Sequence, residues 1–78
     1  MALSDEVKQL VSNVIGIPAE ELSNKSSIET MENWDSMAHV NIIMSLEQHY
    51  AITIAPDIAA DLTSITSITD FLTEKLER

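Results

Sequence analysis

The chain has 78 residues and a mass of 8.6 kDa, enough for one small domain spanning residues 1–78. Hydrophobic residues make up 45%, which excludes a disordered acidic tail, and the absence of cysteine excludes a disulfide, a thiolate metal cluster and a thiol nucleophile. Thirteen Asp and Glu against four Lys and Arg give a formal net charge of −9 and a pI near 4.2, a surface that repels nucleic acid and anionic lipid and favours basic partners.

The start, Met1-Ala2-Leu3-Ser4-Asp5, shows no basic signal region and no myristoylation glycine, and no apolar stretch is long enough to span a membrane. Ser4 to about Ile15 reads as a helix, with Ser4 as N-cap and Asp5 and Glu6 in the first turn, where the helix dipole favours negative charge. Leu3, Val7, Leu10, Val11 and Val14 form its apolar stripe. Gly16, the chain's one glycine, stands where a left-handed cap residue is wanted. Residues 17–35 form a long connection. Pro18 to Leu22 reads as one helical turn with proline first, Ser23 to Ser27 as a turn-rich run, and Ile28 and Met31 as pins to the core. A loop of that length in so small a chain is commonly functional.

Ser36 to Tyr50 reads as the central helix, with Asp35 as its N-cap. It carries two apolar stripes. Ile42, Ile43, Leu46 and Tyr50 make one, with His39 a turn before it; Met37, Val40 and Met44 make the other. A chain this small cannot bury a helix on all sides, so the second stripe calls for a partner. Ile52 to Ile54 alternates like a strand but has no other segment to pair with, and reads as loop. Pro56 to about Ala60 reads as a short helix, and Ile65 to Glu77 as a last one with the stripe Ile65, Ile68, Phe71, Leu72 and Leu76. Its cap is Thr63 or Ser64, with Ser67 and Asp70 as a rival capping box. The fold class expected is all-α, with three longer helices, a short third helix and a long first loop.

Catalytic constellations are scarce. The histidines, His39 and His49, share one helix but face different sides of it. No HExxH, P-loop, GxGxxG or EF-hand pattern is present, and so short a chain rarely walls a cleft, so intrinsic enzyme activity is not expected. The informative segment is Asn33-Trp34-Asp35-Ser36-Met37-Ala38-His39-Val40, which sets an Asp-Ser pair at the mouth of a greasy helix. A helix N-terminus favours a phosphate, through free N–H groups and the dipole, and a serine there presents its hydroxyl to it. Capping alone would also explain the pair.

The combination resembles the acyl carrier protein family, the phosphopantetheine-binding carrier proteins, over nearly the whole chain. Ile15-Gly16-Ile17-Pro18-Ala19-Glu20-Glu21-Leu22 is similar to the family's Leu-Gly-Val…Glu-Glu-Val segment, and Asp35-Ser36-Met37 to its Asp-Ser-Leu attachment motif. The likeness continues through Val40, Ile42, Leu46, Glu47 and Tyr50 to Leu62-Thr63-Ser64-Ile65 and Asp70-Phe71-Leu72. It implies a four-helix bundle that does no chemistry itself. Ser36 would carry 4′-phosphopantetheine taken from coenzyme A, with an acyl group held as a thioester on the arm's thiol. Asp35 would cap the helix and help bind the transferase near its metal ion. Beside the arm, Met37, Val40, Met44, Glu47 and Trp34 would meet partner enzymes, although core filling also accounts for the methionines and loop anchoring for Trp34. Ile42, Leu46, Ile54, Leu62 and Ile68 would shelter a long acyl chain.

The partners implied are a phosphopantetheinyl transferase and acyl- or aminoacyl-loading and acyl-transferring enzymes, met by a cytoplasmic monomer that binds neither nucleic acid nor membrane. Two departures matter. Asn33-Trp34 stands where the family often has Gly-Ala, and Glu47 is the one carboxylate between Ser36 and Tyr50, where fatty-acid carriers usually have several. That points to a specialised carrier in lipid, polyketide or other secondary-metabolite synthesis rather than the housekeeping fatty-acid one. An aminoacyl or peptidyl carrier for an adenylating enzyme and an unmodified helical interaction module are the alternatives. His39 is expected to be a satisfied, partly buried helix residue.

Overall fold

The computed structural model describes residues 3–23 and 25–77, and among them the order is α1 (Leu3–Ile15), a 3₁₀ turn (Ala19–Glu21), α2 (Ser36–Tyr50), α3 (Pro56–Asp61) and α4 (Ile65–Glu77). The expected all-α architecture is therefore present. Successive turns of α1 supply Val7, Val11 and Ile15 to the core, with Leu3, Leu10 and Val14 partly buried beside them. α1 packs against both α2 and α4, whereas α3 approaches the other helices only sparsely. Ile42 and Leu46 of α2 and Ile65, Ile68 and Leu72 of α4 complete a core closed to solvent.

The helix ends follow local chemistry. Gly16 has φ +77°, the left-handed conformation that ends α1, and its amide donates to the Ser12 carbonyl at 2.9 Å. Ser4 is not the N-cap of α1; the helix already includes Leu3, so Ser4 stands inside the first turn. Met1 and Ala2 lie outside the described residues, as does Asn24 of the Ser23–Ser27 run. Pro18 is the residue before the 3₁₀ turn rather than its first member. α2 ends at Ala51, a non-glycine residue at φ 55° whose amide donates to the Glu47 carbonyl. Between the rival caps of α4 the structure selects Ser64. The Ser67 amide donates to Ser64 Oγ at 3.1 Å and the Ser64 amide donates to Ser67 Oγ at 3.0 Å, a reciprocal box with serine in the usual glutamate position.

The long first loop is pinned by backbone bonds, more than by the apolar side chains the sequence suggests. The Ile28 amide donates to the Thr63 carbonyl at 2.9 Å and the Ile65 amide to the Ser26 carbonyl at 3.0 Å, around a bridge between Ser27 and Ser64. Two connections thus lock together, with Ser26 buried between them. Ile28 and Met31 are only half-buried.

Candidate functional site

The residues leading into α2 are each held by a hydrogen bond, Asn33 to the end of α1 and Trp34 and Asp35 to the first turns of α2 itself. Asn33 Nδ2 donates to the carbonyl of Ile15 at 3.1 Å, joining the loop to the end of α1. Trp34 is 1% exposed and its indole Nε1 donates to His39 Nδ1 at 3.1 Å. Asp35 is the N-cap, its carboxylate accepting from the Ala38 amide at 2.9 Å. Pinned at Asn33, Trp34 and Asp35, the backbone then delivers Ser36 to the first position of α2, exposed. Ser36 Oγ is engaged by no other side chain among the described residues.

That position suits a phosphodiester. Asp35 takes the Ala38 amide and the His39 amide bonds to the Asp35 carbonyl, so the amides of Ser36 and Met37 are left without an acceptor inside the helix. They carry the positive end of the dipole. Beside Ser36 lies a shallow depression of about 350 Å³, lined in part by Glu29, Glu32 and Asp35. The exposed Ser36 hydroxyl and the free first-turn amides therefore fit a phosphate-linked group on Ser36.

The second apolar stripe of α2 faces solvent. Met37 is 74% exposed, Val40 54% and Met44 50%, while Ile42, Ile43 and Leu46 on the opposite face are buried together with Ala38. The two expected stripes thus have separate environments, and α3 adds the exposed Ile58. Two of the expected partner residues do not belong to this surface. Trp34 is a core residue, so the anchoring alternative is the one realised. Glu47 is half-buried and its Oε2 accepts from the Ile54 amide at 2.9 Å, which commits the carboxylate to the 51–55 loop. Both contacts are near in sequence, Trp34 to His39 and Glu47 to Ile54, but each crosses between a helix and a loop, where no periodic pattern reveals it.

Ile42, Leu46, Ile54, Leu62 and Ile68 are all buried in the one core cluster. Depressions of about 640 and 460 Å³ lie elsewhere, around α1 and His49, and include none of these residues. His39 is half-buried and satisfied, as its sequence position suggests, with Nε2 placed 2.8 Å from the Ala59 carbonyl oxygen.

The comparisons with known proteins agree with this geometry. The family model described as the phosphopantetheine attachment site matches residues 5–72. The chain is 30% identical over 74 residues to the acyl carrier protein of Chlamydia trachomatis serovar L2, covering 95% of this chain and 96% of that one. It is 29% identical over 70 residues to the acyl carrier protein of Buchnera aphidicola subsp. Baizongia pistaciae, covering 90% of each. The solution structure of holo acyl carrier protein from Geobacter metallireducens superposes with a TM-score of 0.84 at 29% identity, over 100% of this chain and 90% of that one.

The chain belongs to the phosphopantetheine-attachment family. Within that family it is a non-catalytic carrier of the acyl carrier type, and its cofactor is covalently attached 4′-phosphopantetheine.

Proposed function

We propose that Ser36 is the attachment residue and that the acyl group borne on its arm is delivered to partner enzymes docked on Met37, Val40 and Met44. One observation carries the reading: a serine with an unengaged hydroxyl stands at the mouth of a helix, on a backbone pinned at Asn33, Trp34 and Asp35. When bound, the arm supplies a thiol for thioester chemistry, which a chain without cysteine does not otherwise possess. The protein's own residues do the rest. Ser36 Oγ supplies the bridging oxygen, the Ser36 and Met37 amides favour the phosphodiester's charge, and Asp35 holds the helix start in place.

The exposed face of α2 is neutral, because Glu47 is turned to Ile54 and the rest of the helix carries no other carboxylate. Partners that meet it bury methionine and valine, so their affinity depends less on salt than docking through ion pairs would. This favours a specialised carrier in lipid or secondary-metabolite synthesis, and we take it to be a monomer of the cytoplasm. A long acyl chain is accommodated among Ile42, Leu46, Ile54, Leu62 and Ile68 by parting helices that are closed in its absence.

The deciding experiment is intact mass before and after incubation with coenzyme A, magnesium and a broad-specificity phosphopantetheinyl transferase, with Ser36→Ala alongside. The expected result is a gain of one phosphopantetheine that the variant loses. A folded, initially unmodified protein that gains nothing with that enzyme or with its cognate one would return the reading to an unmodified interaction module. Loading of the holo form by an adenylated amino acid instead of an acyl group would make it an aminoacyl carrier.

A further inference from the structure

His39 lies near the start of α2 between two partners from different parts of the chain. Its Nδ1 is 3.1 Å from Trp34 Nε1 and its Nε2 is 2.8 Å from the Ala59 carbonyl oxygen. An indole nitrogen only donates and a carbonyl oxygen only accepts. One form of the ring satisfies both at once, the neutral tautomer with a bare Nδ1 and a proton on Nε2. The imidazole and indole planes are also nearly parallel, at 25° with centroids 6.3 Å apart.

The ring therefore joins the loop that presents Ser36 to α3, and α3 has few other ties. It has six residues, none of them buried, its N-cap Ala55 supplies no side-chain bond, and it meets the longer helices only sparsely. Yet it stands between Ile54 and Leu62, both buried in the core. What holds α3 also keeps that part of the core closed.

We infer that His39, as its Nε2–H tautomer, is a positioning residue that bolts α3 to the loop carrying Ser36. The inference deepens the reading of Ser36 as the attachment residue and rests on it for its consequence, although the bolt itself can be observed without it. A proton on Nδ1 would set a donor against the Trp34 N–H, and the two would have to part. The charged groups on the surrounding elements are Glu32 and Asp35 in the loop and Asp57 and Asp61 on α3, all exposed, with the Asp35 carboxylate already taken by the Ala38 amide. His49 is apart from this group, edge-on to Tyr50 with ring centroids 4.6 Å apart.

Trp34 is the chain's one tryptophan, so its emission reports on this site alone. The experiment uses the full chain with His49→Gln, leaving one imidazole, and ¹⁵N-labelled histidine. At neutral pH the ring nitrogens should show the Nε2–H tautomer, and the Trp34 indole proton should be protected from exchange. The Trp34 emission should be that of a buried indole, and the α3 amides should be protected from exchange along with it. Trp34→Phe keeps most of the ring volume and removes the donor. In it, α3 amides should exchange about fivefold faster, as loss of one hydrogen bond implies.

The Nδ1–H tautomer, rapid averaging of the two, or α3 exchange unaltered by Trp34→Phe would overturn the inference. Should that variant not fold, the ring-nitrogen spectrum of the parent decides by itself. Loading with coenzyme A and the transferase should show a raised KM with little change in kcat for Trp34→Phe. An equal KM would refute the consequence for Ser36. If the parent is not loaded at all, the attachment reading has failed, and the nitrogen spectrum still judges the bolt.

Discussion

The two faces of α2 are both apolar and meet opposite environments. Ala38, Ile42, Ile43 and Leu46 close the core, while Met37, Val40 and Met44, one stripe around, are left in water. The inward face uses mostly branched or small residues whose shape fixes one packing; the outward face uses two methionines, which adapt to more than one surface. Exposed apolar side chains add nothing to folding and favour association, so a stripe of them next to Ser36 makes sense as a contact surface. One helix thus divides its labour between stability and recognition.

Substitution should separate the two. Ile42→Ala leaves a cavity in a closed core and should cost about 2–5 kcal/mol, read from chemical denaturation. Met44→Ala should stay within about 0.5 kcal/mol of the parent while weakening the association of the holo protein with an acyl-handling enzyme. Equal destabilisation by the two substitutions would abolish the distinction between the faces. The partner association should also survive a rise in salt better than docking through ion pairs does.

The distinction was largely legible in the sequence, because a helix's periodicity separates its stripes and Asp35 fixes where the count begins. Gly16 and Pro56 likewise marked ends through their own backbone preferences. Side chains that act across the fold were not legible. Trp34 in an aperiodic loop carries no sign of whether it faces in or out, and the acceptor that satisfies its N–H once buried, His39, is seen only in the fold. Glu47 looks like a free surface charge until the Ile54 amide is seen to need an acceptor. Asn33 reaching Ile15, and Ser27 pairing with Ser64, join segments far apart in the chain, which no local pattern encodes.

A smaller effect tests what Asp35 does at the boundary between the faces. Asp35→Ala should cost about 1 kcal/mol through loss of the cap to the Ala38 amide, whereas Asp35→Asn should cost only a few tenths. If the carboxylate serves only as a cap, the asparagine variant should also be loaded by the transferase at the parent's rate. Slower loading of a fully stable asparagine variant would show that the charge itself is recognised, which the resemblance to the carrier family leads one to expect.

The far end of α2 offers the finest comparison, because there the helix is tied down by a polar side chain. Tyr50 donates its hydroxyl proton to Glu6 Oε1 at 2.9 Å, linking the end of α2 to the start of α1. Burial first, then the hydrogen bond and charge of Glu6, push the phenol up from 10.0 to about 12. Below pH 10 the folded and unfolded chains both keep this proton, so the contribution of Tyr50 to stability is fully present. Between pH 10 and about 12 the unfolded chain loses the proton while the folded one holds it, which favours unfolding, and the contribution declines through that window. Tyr50→Phe should cost roughly 1 kcal/mol near neutrality, the net worth of one such hydrogen bond. The parent's advantage over the variant should then shrink above pH 10. A gap that stays constant through the window would mean that Glu6 and Tyr50 part in solution, leaving the last turn of α2 held by its apolar inner face and the Ala51 cap alone.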